Sequence, residues 1–455
     1  MPNLESIRNS IIKPPVLMPK DTLVNNLGPC RIPSPLAPHM GEEAQKALFI
    51  RESQALLHKV IVDRSEPASP DMQEQPFFEL AGPRAKIFFD PSKTNAGIVT
   101  CGGLCPGINE VIRSLVRHLH FIYGVRHVAG FKYGYQGFIA RYGHDVVDLT
   151  TDFVDGIQDN GGTVLGSSRG EQDVVEIVDC LENMRINMLF VIGGDGTLRG
   201  AQAIVDEVAR RDARIAVIGI PKTIDNDILY VDESFGFQTA CSVAVSSLLA
   251  AHAESKGGPN GIGLVKLMGR HSGFIACQAA LAMSDVNFVL IPELPFKLEG
   301  EHGFLNSLHD RLLRRRHAVI VVAEGAGQEY IKSESEKKDA SGNVVLKDIG
   351  VYLRDRIADH FRSIGMAITL KYIDPSYTIR SVPASSQDNV YCINLAHHAV
   401  HAAMAGKTGI IISRWHNHFV HVPMALATSG RKQVNPLSDL WLSVIESTGQ
   451  PGVFY

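Results

Sequence analysis

A chain of 455 residues with 45% hydrophobic and 20% charged side chains can bury one large core or two ordinary ones. A formal charge of −4 argues against general nucleic-acid binding but leaves room for one basic pocket that recognises a phosphorylated small molecule. No apolar run reaches membrane-spanning length, and "MPNLESIRNSIIKPP" lacks the apolar stretch of a secretory signal, so the expected location is the cytoplasm.

The first 91 residues are rich in proline and polar side chains and read as an extension wrapped over a core, with one helix-like stretch at "EEAQKALFIRESQALLHKVI". From there, strand-like runs at "AGIVT", "MLFVI", "IAVIGI", "GIGLVKL", "NFVLI" and "AVIVVA" alternate with helix-like segments. That alternation is the pattern of α/β units around mostly parallel sheets. The expected division is 1–91 extension, 92–230 nucleotide-binding domain, 231–430 sugar-phosphate-binding domain, with the chain free to cross between them, and 431–455 C-terminal segment. "YIKSESEKKDASGNVVLKDIG" reads as an exposed loop or hairpin, and "RLLRRRH" at Arg311–His317 as a solvated helix face.

Other residues that invite a chemical role have simpler readings. The seven cysteines, an odd number, are expected to be reduced thiols, and Cys101 and Cys105 lack a second pair at zinc-ligand spacing. His397 and His401 sit one helical turn apart without the glutamate of a zinc protease, and are expected on a helix surface.

Chemistry concentrates where apolar runs end. "FVIGGDGTLRGA" stops a strand at glycines and Asp195, then starts a helix whose Ile204, Val205, Val208 and Ala209 share one face. A glycine turn before a helix N-terminus holds phosphate well, and Asp195 among phosphates calls for a divalent cation such as Mg²⁺ between them. "VTCGGLCPGINEVIR" repeats the plan with Gly102, Gly103 and Gly107, and "GSSRG" supplies Arg169, a fixed cation suited to phosphates. "GIPKTIDNDI" adds Lys222, Thr223, Asp225, Asn226 and Asp227. If this segment stays extended, Asp225 and Asp227 point to one side about 6.6 Å apart, one available as a base and the other to orient metal or neighbours. Metal-holding acid, phosphate-binding glycines, cations and a second acid together suit phosphoryl transfer.

"GGDGT", "PKTIDND", "MGR" at Met268–Arg270, "AEGAG" around Glu324 and "KYIDPSYTIR" ending at Arg380 occur in the order of the 6-phosphofructokinases. The sequence resembles that family from "ELAGPRAKIFFDP" to near the C-terminus, and most closely the branch of plants and trypanosomatids. The resemblance implies two Rossmann-like α/β domains with mostly parallel sheets. It implies phosphoryl transfer from Mg-ATP to the 1-hydroxyl of fructose 6-phosphate, the committing step of glycolysis, by an allosteric homotetramer or homodimer. Carried over by motif, Gly103, Arg169, Gly170, Gly194, Asp195, Gly196 and Thr197 would bind ATP, with Asp195 on Mg²⁺. Thr223, Ile224, Asp225, Met268, Gly269, Arg270, Glu324, Lys371, Tyr377 and Arg380 would bind the sugar phosphate. Asp225 would be the general base, with Arg270 and Thr223 beside it in the catalytic set.

Two positions bear on the donor. Gly196 resembles the ATP-using members, where pyrophosphate-using ones typically carry aspartate, whereas Lys222 resembles the pyrophosphate group. An aspartate at 196 would oppose the α-phosphate, while a lysine at 222 excludes neither donor, so Gly196 favours ATP. The alternatives are a pyrophosphate-dependent enzyme and a non-catalytic sugar-phosphate-binding subunit, the latter disfavoured by the presence of Asp195, Asp225 and Arg270 together. Gly261, Lys371 and Tyr377 stand where many bacterial relatives have arginine, arginine and histidine, which puts subunit-shared substrate binding in doubt.

Overall fold

The computed structural model describes residues 17–39, 41–61, 75–331 and 344–455. The larger of two main sheets has nine strands, in the order Ala55–Leu57, Phe77–Leu80, His418–Pro423, Ile410–Trp415, Ala216–Pro221, Met188–Gly193, Asn95–Thr100, His127–Phe131 and Val146–Asp148. Its five central strands from Ile410–Trp415 to His127–Phe131 are mutually parallel, and the outer pairings are antiparallel. The second sheet is wholly parallel, in the order Phe288–Leu290, His317–Ala323, Gly261–Leu267 and Thr369–Ile373. Helices cover both, because the central strands are buried on both faces: every residue of Met188–Gly193, Ala216–Pro221 and Gly261–Leu267 is buried.

Strand order locates the clefts. The chain enters the parallel part of the large sheet at Asn95–Thr100, steps to one side with His127–Phe131, then to the other with Met188–Gly193. The reversal opens a crevice beyond the C-terminal ends of Asn95–Thr100 and Met188–Gly193, where Gly102, Gly103 and Gly194–Thr197 lie. A second reversal, around Gly261–Leu267, puts Met268–Arg270 and the Asp374–Arg380 segment at the ends of adjacent strands.

All six strand-like runs form strands, but the sequence reading missed His127–Phe131, Val146–Asp148, Thr369–Ile373 and the hairpin Ile410–Trp415/His418–Pro423. These are short, edge-placed or interrupted by charge. The hairpin turns on His416 and Asn417, both at positive φ, in the two-residue geometry that matches strand twist. It returns residues from the C-terminal third of the chain to the large sheet. The helix-like stretch beginning at Glu42 ends at Leu48, and Ala55–Leu57 is a strand, so the N-terminal segment extends the large sheet as well as wrapping it. In the helix Asp195–Arg210 the buried face is Leu198, Ala201, Ile204, Val205 and Val208, while Ala209 is exposed. His401 is buried, not on a helix surface, with its Nδ1 2.7 Å from the Tyr123 hydroxyl, and His397 stacks on His118. Arg314–Arg316 are exposed as expected, and all seven cysteines are free. Most of the loop expected at 330–350 (332–343) lies outside the described residues.

A buried ionic cluster ties the N-terminal segment to the C-terminal third. Lys407, 2% exposed, lies 2.9 Å from both Glu52 and Glu79, and Glu79 also accepts from Arg84 at 2.7 Å and pairs with His421 at 3.1 Å. Burial alone would raise the Glu79 carboxyl, but His421 and Lys407 hold it down to about 2. Glu79→Gln leaves Lys407 and Arg84 sharing Glu52 as their one remaining carboxylate and is expected to destabilise the fold by about 1–3 kcal/mol at pH 7, read as a lowered denaturation midpoint. Because the native carboxyl titrates below its ordinary value of 4.5, its contribution is full above that value and is lost as pH falls toward 2. The gap between variant and parent therefore narrows in acid.

Candidate active site

Gly194 caps the helix Asp195–Arg210, and Asp195 is its first helical residue, where the helix dipole favours an acid. Asp195 Oδ2 contacts Arg199 one turn on and accepts from Arg431 at 3.2 Å, while Oδ1 is buried with no protein partner among the described residues. A side chain at Gly196 would meet nothing within 4 Å. Thr197 is buried, and its carbonyl accepts from the Tyr135 hydroxyl at 2.7 Å.

Across the crevice, Gly102 adopts φ 84°, which lets its N–H donate to Ser168 at 3.2 Å and its carbonyl accept from Ser167 Oγ at 2.6 Å. The Gly102–Gly103 turn is thereby held against the segment carrying Arg169 and Gly170, itself at φ 99°. Lys222 Nζ donates to the Gly103 carbonyl at 2.5 Å. Arg380 and Arg169 come within 3.9 and 4.0 Å of where a Gly103 side chain would begin. Three cations thus surround one glycine, and burial, reinforced by Arg169 and Arg380, holds Lys222 below the ordinary lysine range.

The acid segment after Ala216–Pro221 is not extended. Thr223–Tyr230 turns, with Asn226 at φ 55°, so Asp225 and Asp227 leave the chain in different directions. Short-range bonds explain the turn: Thr223 Oγ1 donates to Asp227 at 2.8 Å and accepts from the Asp225 N–H at 3.2 Å, and Ser234 Oγ donates to the Thr223 carbonyl at 2.5 Å. Asp227 binds Arg431 at 3.2 Å. Asp225 reaches the second sheet instead, where its Oδ2 accepts from the Arg270 N–H at 3.3 Å and its carbonyl from Ser272 Oγ at 2.9 Å. Ile224 between them is buried.

Met268, Gly269 and Arg270 follow the Gly261–Leu267 strand, and Glu324 follows His317–Ala323; backbone bonds of 2.9–3.0 Å join the two loops. The Arg270 side chain touches the Val344 carbonyl, and its Nε is buried and unpartnered among the described residues. Burial raises Glu324, with Lys266, Arg270 and Arg380 pulling against it. Burial, then Asp227 and Glu324, push the Asp225 carboxyl up to about 8. Arg380 lies over the ring of Tyr377, 4.7 Å from its centroid, and Tyr377 is 76% exposed. Lys371 pairs with Glu254 at 3.9 Å, a helix residue outside this cluster.

Two contributors had escaped the sequence reading. Lys266, inside an apolar strand, binds Asp348 and Asp374 at 2.9 and 2.8 Å and fixes the segment leading to Arg380. A lysine in an otherwise apolar run was the available signal. Arg431 joins two strand-end acids, but "SGRKQ" carries nothing that distinguishes it from a surface pair.

The phosphofructokinase family model matches residues 95–403. The chain is 50% identical to an ATP-dependent 6-phosphofructokinase of Borreliella burgdorferi, over 95% of this chain and 97% of the relative. It is 45% identical to ATP-dependent 6-phosphofructokinase 7 of Arabidopsis thaliana (92% and 85% covered) and 46% to the ATP-dependent 6-phosphofructokinase of Trypanosoma brucei brucei (85% and 79%). Among solved structures, a pyrophosphate-dependent phosphofructokinase of Nitrosospira multiformis aligns with TM-score 0.64 at 19% identity, over 77% of this chain and 88% of that one. The Pichia pastoris phosphofructokinase in its T-state aligns with TM-score 0.60 at 21% identity, covering 84% of this chain but only 38% of its own length. The chain belongs to the phosphofructokinase family, and its resemblance to plant and trypanosomatid members is borne out.

The raised Asp225 carboxyl has a consequence for stability. The folded protein keeps a proton that the unfolded chain releases at the ordinary value of 3.8, so this group's contribution is full below that value and is lost as pH rises toward 8. Asp225→Asn is therefore expected to gain on the parent in melting temperature progressively as pH rises from 5 to 8, measured by thermal unfolding of the ligand-free protein.

Proposed function

We propose that the protein is an ATP-dependent 6-phosphofructokinase, transferring the γ-phosphoryl group of Mg-ATP to the 1-hydroxyl of fructose 6-phosphate in cytoplasmic glycolysis, as a homotetramer or homodimer. The observation that carries this reading is that the Asp225 carboxylate is bonded to the Arg270 backbone N–H at 3.3 Å, while Asp225 Oδ1 and Arg270 Nε are each buried without a protein partner among the described residues. An acid and a cation so placed can take the acceptor proton and offset charge developing on the transferred group. The names of the relatives at 45–50% identity support the donor and the acceptor.

Donor phosphates would lie along Gly103 and Gly194–Thr197, against Arg169 and the start of the helix at Asp195. Asp195 suits Mg²⁺: its Oδ1 is buried and unpartnered, and an oxygen ligand is what this ion prefers. Among the described residues no group of three or more His, Cys, Asp or Glu side chains could hold a metal. One carboxylate with phosphate oxygens and water is the usual arrangement for Mg²⁺ at a phosphoryl-transfer site. The ion supplies neutralisation of phosphate charge. Fructose 6-phosphate would lie along Thr223–Asp225, Met268–Arg270 and Glu324, with Arg380 at its phosphate and Tyr377 and Lys371 toward the exposed side. Asp225, raised by burial and then by Asp227 and Glu324, would be brought to its proton-accepting form by positive charge arriving with the donor's Mg²⁺ and by the nearby Arg270.

Purified protein with fructose 6-phosphate and Mg²⁺ is expected to form fructose 1,6-bisphosphate with ATP. Turnover with pyrophosphate alone would instead select the pyrophosphate reading, and turnover with neither would leave a binding subunit. Asp225→Asn is expected to lower kcat by about 10²–10⁴-fold, the usual contribution of a positioned base. Gly196→Asp places a carboxylate in open space, so thermal stability should hold. A like charge about 4 Å from a donor phosphate costs about 1–4 kcal/mol, seen as a rise of about fivefold to a thousandfold in the KM for ATP.

A further inference from the structure

Residues 431–434 form a strap across the cleft, with successive side chains and amides bonded to opposite walls. Lys432 N–H donates to the Asp227 carbonyl at 2.9 Å, and its Nζ donates to Asn226 Oδ1, the Val231 carbonyl and the Asp232 carbonyl at 3.0, 2.6 and 2.9 Å. Gln433 then donates to the His271 carbonyl at 3.1 Å. The Val434 N–H donates to Glu293 Oε1 at 2.8 Å, the same oxygen that accepts from Gly273 at 2.9 Å. The backbone at 431 is therefore pinned from one side. Its side chain is not pinned equally: it is about 30% exposed and bridges Asp195 Oδ2 and Asp227 Oδ2 at 3.2 Å each. Close charge-assisted pairs run about 2.7–2.9 Å, so these are loose contacts on a fixed tether.

We infer that Arg431 is a tethered counter-ion which occupies Asp195 and Asp227 in the metal-free enzyme and releases Asp195 only when a divalent cation arrives together with phosphate. The inference rests on the reading of Asp195 as the metal-holding acid. Without Arg431, Asp195 and Asp227 would lie at adjacent strand ends with Arg199, on the exposed surface, as the one remaining ion-pair partner of Asp195 among the described residues. A bare cation on Asp195 Oδ1 would lie beside the guanidinium held on Oδ2 of the same carboxylate and be repelled by it. A cation carrying phosphate offers Arg431 a new anion in exchange. Arg431 would thus disfavour metal alone and favour the metal–nucleotide complex, acting as a positioning residue through Asp195.

Binding of Mn²⁺, followed by loss of its free electron paramagnetic resonance signal, separates the possibilities with intact protein. In the absence of nucleotide, Arg431→Gln is expected to bind Mn²⁺ about fivefold or more tightly than the parent, from loss of one nearby positive charge. Arg431→Lys, which keeps the charge, should stay near the parent, and the KM for ATP should rise in Arg431→Gln with kcat affected less. Unchanged or weaker Mn²⁺ binding in Arg431→Gln would overturn the inference, and a lower melting temperature without a gain in Mn²⁺ affinity would mark Arg431 as a structural tie only. Asp195→Asn tests the underlying reading separately. If it leaves Mn²⁺–ATP binding intact, Asp195 does not hold the metal, whatever Arg431 does.

Discussion

Four carboxylates, Asp195, Asp225, Asp227 and Glu324, are brought to one cleft by the ends of two parallel strands of the large sheet and one strand of the small sheet. Like charges this close cannot all remain ionised without compensation. The structure relieves the crowding in two ways. Asp227 and Asp195 share Arg431, while burial raises Asp225 and Glu324 out of the ordinary carboxylate range. The surrounding cations follow from the same constraint: Arg270 lies with Asp225 and Glu324, and Arg380 faces both Glu324 and the Gly103 turn.

The division of labour between the sheets follows from chain order. Each sheet reverses its strand order once, and the crevice beyond each reversal holds one group of the candidate site residues. The glycine turns and Asp195 belong to the larger sheet, and Met268–Arg270, Glu324 and Tyr377–Arg380 to the smaller. Asp225 is the exception that joins them. Its carboxylate and carbonyl are both bonded to the Arg270–Ser272 loop of the second sheet, so a side chain from one half is aimed by the other.

Two segments remote in sequence keep this geometry together. The N-terminal region adds strands to the large sheet and is locked by Glu52, Glu79 and Arg84 around Lys407, which otherwise would be an unpaired buried charge. Such a cluster gives little net stabilisation over an apolar equivalent, but it penalises any arrangement that separates its members. The C-terminal strap at 431–434 does the corresponding work at the cleft with bonds to both walls.

The sequence alone determined the class of fold and the family, and it picked out most of the residues that line the candidate site. Continuous apolar runs ending in glycine or acid declare buried parallel strands and their ligand-facing ends, and "GGDGT", "PKTIDND" and "MGR" are local chemistry written in adjacent residues. Only the tertiary structure decided how Asp225 and Asp227 point, because Thr223 and Ser234 fold that segment into a turn that alternation cannot anticipate. It also decided that His401 is buried, that the hairpin at residues 410–423 returns to the first sheet, and that Arg431 meets Asp195 from 236 positions away. Local pattern encodes which residues can do chemistry. Which charges must neutralise each other is set by separations in space, and those arise only when distant strands are packed side by side.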